Sequence, residues 1–189
     1  MEYLVLDFET TGAFRGNRNL PWQIAAVLMA DRKVVPEHSF SLLLNIPHHH
    51  EFNPYSPGRW ASIRTQLDEA PTLLQLWPQL KPWLDNRALV AHNVPTERTL
   101  LAKAFPMHTF QPWIDTLVIT RKAYPKLISY KLEDIVPTLG LTDKIQAACP
   151  DREPHDALYD AFAAAFLLEH ILNLPGWDKL SDQDLILNT

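Results

Sequence analysis

Apolar residues fall in short runs early in the chain and take helical spacing towards its end. Tyr3–Phe8 is one such run, of the length and composition of a buried central strand. Trp22–Met29 and Val34–Leu44 predict two further strands, and the polar Asp31-Arg32-Lys33 between them predicts a hairpin. Pro47–Pro57, rich in Pro, His and Asn, reads as loop. Leu67–Leu84 is mainly helical in pattern, but Pro71, Pro78 and Pro82 must break or kink it. Leu89–Ala91 predicts a short buried strand followed by a helix over about Thr96–Ala104, and Trp113–Asp115 reads as another strand end. Lys131–Leu139 predicts a short helix stopped by Gly140, despite Pro137. The last helix starts near Asp156, runs to about Asn173 and stops at Pro175-Gly176. Ala157, Leu158, Ala161, Phe162 and Ala164 to Leu168 make it apolar almost all round, as a largely buried helix is. Three early strands followed by alternating helices and strands predict an α/β sheet with helical cover.

Composition bounds this picture. The chain has 189 residues, 47% hydrophobic and 21% charged. That suits one packed domain over residues 1–189 and is too little for two. No run approaches the roughly 20 apolar residues of a membrane helix. The N-terminal stretch has no basic flank and carries Asp7 and Glu9 where a secretory leader stays apolar. Cys149 is the only cysteine, so no internal disulfide can form and a cytoplasmic setting is expected. A net charge of −5 argues against coating long duplex nucleic acid, where phosphate contacts dominate affinity. It leaves room for a small acidic site. Arg121, Lys122, Lys126 and Lys131 form a local basic set that either contacts phosphates or is a solvated surface.

Asp7 and Glu9 stand two apart on the first strand, so their side chains share a face. Two carboxylates at the end of a buried strand repel each other and resist desolvation, and a divalent cation would offset both. Hard oxygen ligands suit Mg²⁺ or Mn²⁺. A pair of solvated acids at a strand end has the same spacing. Asp160 lies one turn inside the apolar last helix, where a carboxylate needs a partner: a metal shared with Asp7 and Glu9, or an arginine. His155 lies five residues earlier, about 140° round a helix from Asp160. Pro154 marks a helix start, so His155 can sit on the loop ahead of it and lean over the same site. An imidazole suits a general base near neutral pH. Asp156 reads as the helix N-cap. His48-His49-His50 reads as loop rather than metal site, Cys149 as inert, and Trp60 with Arg59 and Arg64 offers an alternative stacking surface for bases.

These residues carry a family resemblance. Asp7-Phe8-Glu9-Thr10-Thr11-Gly12 resembles the first motif of the DEDDh 3′–5′ exonucleases, the group of DnaQ-like proofreading subunits and ribonuclease T. Ala91-His92-Asn93-Val94-Pro95-Thr96-Glu97 resembles the second, and His155 and Asp160, with four residues between them, match the third, His-x4-Asp. Asp115-Thr116-Leu117 and the segment from Ser129 to Leu141 resemble the family's stretch between motifs. The resemblance spans about Glu2 to Leu172 and departs at Glu97, where the family has Asp, and at Thr96, where an aromatic is usual.

The resemblance implies an RNase H-like mixed sheet of five strands flanked by helices. It implies a metal-dependent exonuclease that releases nucleoside 5′-monophosphates from the 3′ end of DNA or RNA. Two ions, Mg²⁺ or Mn²⁺, would be held by Asp7, Glu9, Glu97 and Asp160, with His155 taking the proton of the attacking water. Thr10, Thr11 and Gly12 would hold the terminal nucleotide, and His92 and Asn93 would support the second motif or contact substrate. The expected partner is a single-stranded or frayed 3′ end, with a homodimer or a polymerase partner both compatible. A binding module that has lost activity at Glu97, and an endonuclease on the same fold, are the competing readings. An exposed helix acid is the competing reading of Glu97 itself.

Overall fold

The computed structural model describes residues 2–186. Its sheet has the order β3-β2-β1-β4-β5: β1 (Glu2–Thr10), β2 (Pro21–Ala30), β3 (Lys33–Leu43), β4 (Ala88–Ala91) and β5 (Trp113–Asp115). The first three strands are antiparallel, and β4 and β5 run parallel to β1. This is the mixed five-stranded sheet that the resemblance implies.

Strand β1 is central and covered on both faces, which is why it reads as a continuous apolar run. Tyr3 and Val5 face one core, with α7 (Ala157–Leu172); Leu4, Leu6 and Phe8 face the other. The two-residue period therefore sends Asp7 and Glu9 to the face that α7 covers. That helix buries Ala161 to Ala165, Leu167, Leu168 and Ile171, so it is enclosed on nearly every side, between the sheet and the helices that follow β5. The opposite layer holds α2 (Trp77–Leu84) and α3 (Pro95–Ala104) through Leu80, Leu84, Leu100 and Leu101.

Between β3 and α2 the prolines Pro71 and Pro78 mark helix ends, whereas Pro82 lies inside α2 without ending it. Helix α1 (Arg64–Glu69) ends where Ala70 turns extended ahead of Pro71. Pro78 falls in the first turn of α2, where its missing N–H leaves nothing unpaired.

Three helices were not anticipated by the apolar pattern. Helix α4 (Thr116–Ala123) carries buried threonines on its inner face, and Thr120 Oγ1 donates to the Thr116 carbonyl at 2.6 Å. Helix α6 (Thr142–Ala148) buries only Ile145 fully, with Ala148 partly buried beside the same core. The four-residue α8 (Asp182–Leu185) is set by a capping box between Ser181 and Asp184. Helix α5 (Leu132–Thr138) lies where the sequence places it. Among the described residues no helix is long and apolar enough to cross a membrane.

Candidate active site

The C-terminal ends of β1, β4 and β5 converge where α7 begins. Asp156 caps α7, its Oδ1 accepting from Leu158 N–H at 3.0 Å. Its Oδ2 takes Arg152 at 2.6 Å and Arg59 at 3.4 Å, so this buried carboxylate is neutralised within the protein. Gln23, fully buried beside Glu9 in the β1–β2 register, accepts from Ala157 N–H at 3.3 Å and donates to Ser41 Oγ at 3.0 Å. It ties the start of α7 to the sheet. An isolated glutamine in an apolar strand was the only trace of this role in the sequence.

His155 adopts φ +69°, which turns its N–H onto Asp160 Oδ2 at 3.0 Å. The two residues thus meet through the loop, although helical geometry alone would separate them. Ligand-capable atoms of Glu9, His155 and Asp160 lie within 4.8 Å of one another. The His155 ring also reaches helix α5, with Nε2 3.1 Å from Glu133 Oε2. Asp7, partly exposed, opens with Asp160, His155, Glu133 and Lys131 onto a cavity of about 220 Å³.

The carboxylates hold their protons tightly. Poor solvation at the cavity floor, then Asp160, Glu97 and Glu9, push the Asp7 pKa well above the usual carboxylate range. Burial, then Asp160 and Asp156, push Glu9 up to about 8. Burial pushes Asp160 up to about 6, against the His155 N–H that favours its charge.

Asp115 at the end of β5 organises the second motif. Its carboxylate accepts from Asn93 and Val94 N–H, both at 3.1 Å, and from Leu117 N–H at 2.9 Å. Asn93 sits at φ +80°, a conformation that asparagine tolerates better than most residues. His92 is held at both nitrogens: Nε2 lies 2.8 Å from the Tyr130 carbonyl and so carries the proton, leaving Nδ1 to accept from Thr116 Oγ1 at 2.9 Å. Burial lowers its pKa, consistent with a neutral ring.

This scaffold delivers Glu97, on the first turn of α3, into the interior, where it is 4% exposed. Its Oε2 is buried with no hydrogen-bond partner among the described residues, and burial, aided by Asp115, pushes its pKa up to about 8. Glu97 is therefore not an exposed helix acid. A desolvated carboxylate oxygen without a donor needs a proton or a cation. The charge of Glu97 acts on Asp7 together with those of Asp160 and Glu9, so Glu97 belongs to the same acidic group.

Thr11 is more deeply engaged than the resemblance implies. Its N–H donates to Leu20 C=O, and its own carbonyl accepts from Asn53 N–H and Ser56 Oγ. Thr10 and Gly12 are partly exposed beside it. Gly12 has φ +69°, and a Cβ there would collide with Ser56 Oγ and stand 2.8 Å from Asn53 Cβ. Gly12→Ala is expected to cost about 1–3 kcal/mol through backbone strain and overpacking, read by urea unfolding. An unchanged midpoint would show that the two loops part freely.

The alternative stacking surface is not free. Trp60 packs on Phe52 at 4.4 Å between centroids and donates to the Ser56 carbonyl, and Arg64 is spent on Asp68 and the Ile46 and Pro47 carbonyls. Of the local basic set, Lys131 pairs with Glu133 at 3.1 Å and Arg121 lies over the Tyr130 ring.

A mixed sheet of this order, with acids from β1, α3 and α7 gathered at its strand ends, is the RNase H-like exonuclease fold. The RNase T family model, "Exonuclease", matches residues 4–168, and the chain belongs to that DEDDh exonuclease family. It is 29% identical over 176 residues to a PolC-type DNA polymerase III of Clostridium perfringens, covering 89% of this chain but 11% of that protein. The nuclease domain of 3′hExo, a DEDDh family member solved bound to rAMP, superposes with a TM-score of 0.69 at 16% identity, covering 94% of each chain. S. pombe Pop2p, solved in an Mg²⁺- and Mn²⁺-bound form, gives 0.65 at 15% identity, covering 97% of this chain and 87% of that one.

Proposed function

We propose that the chain is a working 3′–5′ exonuclease that takes single-stranded or frayed nucleic-acid ends and releases nucleoside 5′-monophosphates. The observation that carries this reading is the unpartnered, buried Glu97 oxygen in the same site as three crowded carboxylates. An inactive binding module would gain by losing these acids, since each costs desolvation energy. Asp7, Glu9, Asp160 and Glu97 would hold Mg²⁺ or Mn²⁺, as two ions. When bound, two such ions stabilise charge on both the attacking and the leaving oxygen. His155, on the rim of the cavity, takes a proton from the attacking water. Thr10 and Gly12 border the terminal nucleotide, while Asn93, His92 and the interior groups of Thr11 hold the walls in place.

The test is hydrolysis of end-labelled single-stranded DNA, single-stranded RNA and blunt duplex with Mg²⁺ or Mn²⁺. Mononucleotides released from the 3′ end, and none in excess chelator, are expected. Internal cleavage, or no hydrolysis under any condition, overturns the proposal.

Glu97 gives a sharper expectation. Its side chain is one methylene longer than the family's Asp, so its carboxylate approaches the ion from a slightly different distance. Mg²⁺ demands near-ideal octahedral geometry. Mn²⁺ is expected to support the higher rate, Glu97→Asp to change it mildly, and Glu97→Ala to lower it by roughly 100-fold, the upper end of what a metal site's supporting residues are worth. Full activity of Glu97→Ala would leave Glu97 outside the reaction.

A further inference from the structure

Two loops beside Gly12 carry side chains that the proposed chemistry does not use. In the β1–β2 connection, Asn17 N–H donates to the Phe14 carbonyl at 2.8 Å, with Arg15 at φ +48° and Gly16 at φ +82°. Two positive φ values in succession make a type I′ turn. Arginine is an uncommon residue at positive φ, and here the turn sets its guanidinium 4.9 Å from the centroid of the Phe14 ring. Arg18 follows, exposed. No Asp or Glu occurs from Thr10 to Ala30, so this stretch carries two positive charges in a chain of net charge −5.

The second loop is fastened to the first. Asn53 N–H donates to the Thr11 carbonyl at 2.8 Å, and Asn53 Nδ2 reaches the Ala13 carbonyl at 3.4 Å. At its tip, Tyr55 N–H is held by Asn53 Oδ1 at 3.0 Å while the residue is 89% exposed. Its ring stacks on no other ring among the described residues. Gly12 is three residues from Glu9, at most about 11 Å of chain, so both loops begin at the lip of the carboxylate site.

We infer that these loops grip the single strand a few nucleotides away from its 3′ terminus. Tyr55 and Phe14 offer ring faces to successive bases, and Arg15 and Arg18 meet the backbone phosphates. Stacking of this kind tolerates every base, because each has a π face. It requires no 2′-hydroxyl, so DNA and RNA strands are both taken, whereas paired bases in a duplex hide their faces. The inference rests on the exonuclease reading for its orientation, and binding can be measured without turnover.

Affinities are measured by fluorescence anisotropy, without added metal, for labelled 12-nucleotide DNA and RNA strands and for a dinucleotide. Tyr55→Ala is expected to weaken 12-mer binding by about 5–150-fold, the range one base–aromatic stack supplies, and to leave the dinucleotide unchanged. Tyr55→Phe keeps the ring and should retain the parent affinity. The Arg15→Ala, Arg18→Ala pair should flatten the plot of log affinity against log salt by about 1.4, two phosphate contacts on a single strand. Parent-like 12-mer affinity and salt slope in all these variants overturn the grip, as does equal weakening of dinucleotide and 12-mer, which would place Tyr55 on the terminal nucleotide. If the parent chain binds as described but hydrolyses nothing, the exonuclease reading fails and the grip stands.

Discussion

We expect Asp7→Asn to abolish turnover and, in the same protein, to raise the melting temperature of the metal-free form. Both effects have one cause. Asp7 is crowded by Asp160, Glu97 and Glu9 in a poorly solvated cavity, and these together drive its pKa upward. Asparagine keeps the shape and removes the charge, relieving repulsion while deleting a proposed ligand. A relief of about 1 kcal/mol raises the melting temperature of a chain this size by about 2–4 °C. The same crowding gives the metal-free protein a pH dependence of definite sign. A carboxyl whose folded pKa lies above its unfolded value binds its proton more tightly when folded, so stability falls as pH rises through that interval. For Glu9 and Glu97, raised to about 8, the loss spreads from about pH 4.5 to 8; for Asp160, raised to about 6, it is complete earlier. Cations compete with those protons, so the melting-temperature gain on adding Mn²⁺ should be small near pH 5, large near pH 8, and reduced in Asp7→Asn. Scanning calorimetry at both pH values, with and without Mn²⁺, reads every arm. A metal-free melting temperature that climbs from pH 5 to 8, or parental turnover in Asp7→Asn, would show that the acids are not forced together.

The parts of this site that were legible in the sequence are those set by local periodicity. Asp7 and Glu9 share a face because a strand alternates, and that face meets α7 because Tyr3 and Val5 on the same side are apolar. Asp160 announced itself as a charge in an apolar helix, and Asp156 as an N-cap, because both signals lie within one turn. The mixed five-stranded sheet was available only through the family resemblance, and its strand order from neither source, since nothing local says that β1 pairs with β4 rather than β5. What stayed hidden depends on pairs distant in the chain. Asp115 enters the sequence reading only as part of the Asp-Thr-Leu stretch, yet its carboxylate is occupied by three backbone N–H contacts, two from the distant second motif and one from the helix it caps. His92 reads as a candidate for substrate, but Thr116 and Tyr130 claim both its nitrogens. Glu133 gave no signal and Gln23 only that of a lone amide in an apolar strand, because each acquires its role only when α7 or the His155 loop arrives beside it. Helix α4 was missed because, apart from Ile119, its buried residues are the threonines Thr116 and Thr120, whose hydroxyls find partners inside the fold and which do not announce an apolar stripe.

His155→Ala is expected to lower kcat by about 10²–10⁴-fold, the usual contribution of a general base, with a much smaller change in KM. The geometry separates this from a loss of fold. The contact that fixes the loop is the His155 backbone N–H on Asp160, which alanine retains, so the carboxylate site keeps its shape. What alanine loses is the ring, which stands at the cavity rim against Glu133. The left-handed backbone at this position also tolerates few replacements, so His155→Asn, with a residue better suited to positive φ, serves as a second variant that preserves the loop without a comparable base. Glu133 stands to the ring as a carboxylate that orients a base does elsewhere: it holds one nitrogen and thereby fixes the direction of the other. Glu133→Gln keeps a hydrogen-bonding partner and should cost far less than loss of the ring. Glu133→Ala frees the imidazole and should fall between the two, again in kcat. Single-turnover rates on a short strand, under saturating metal, rank these four variants without interference from product release. A ranking in which His155→Ala and His155→Asn both match the parent chain, with the same dependence of rate on pH, would remove His155 from the proton transfer and leave its backbone as the only part that matters.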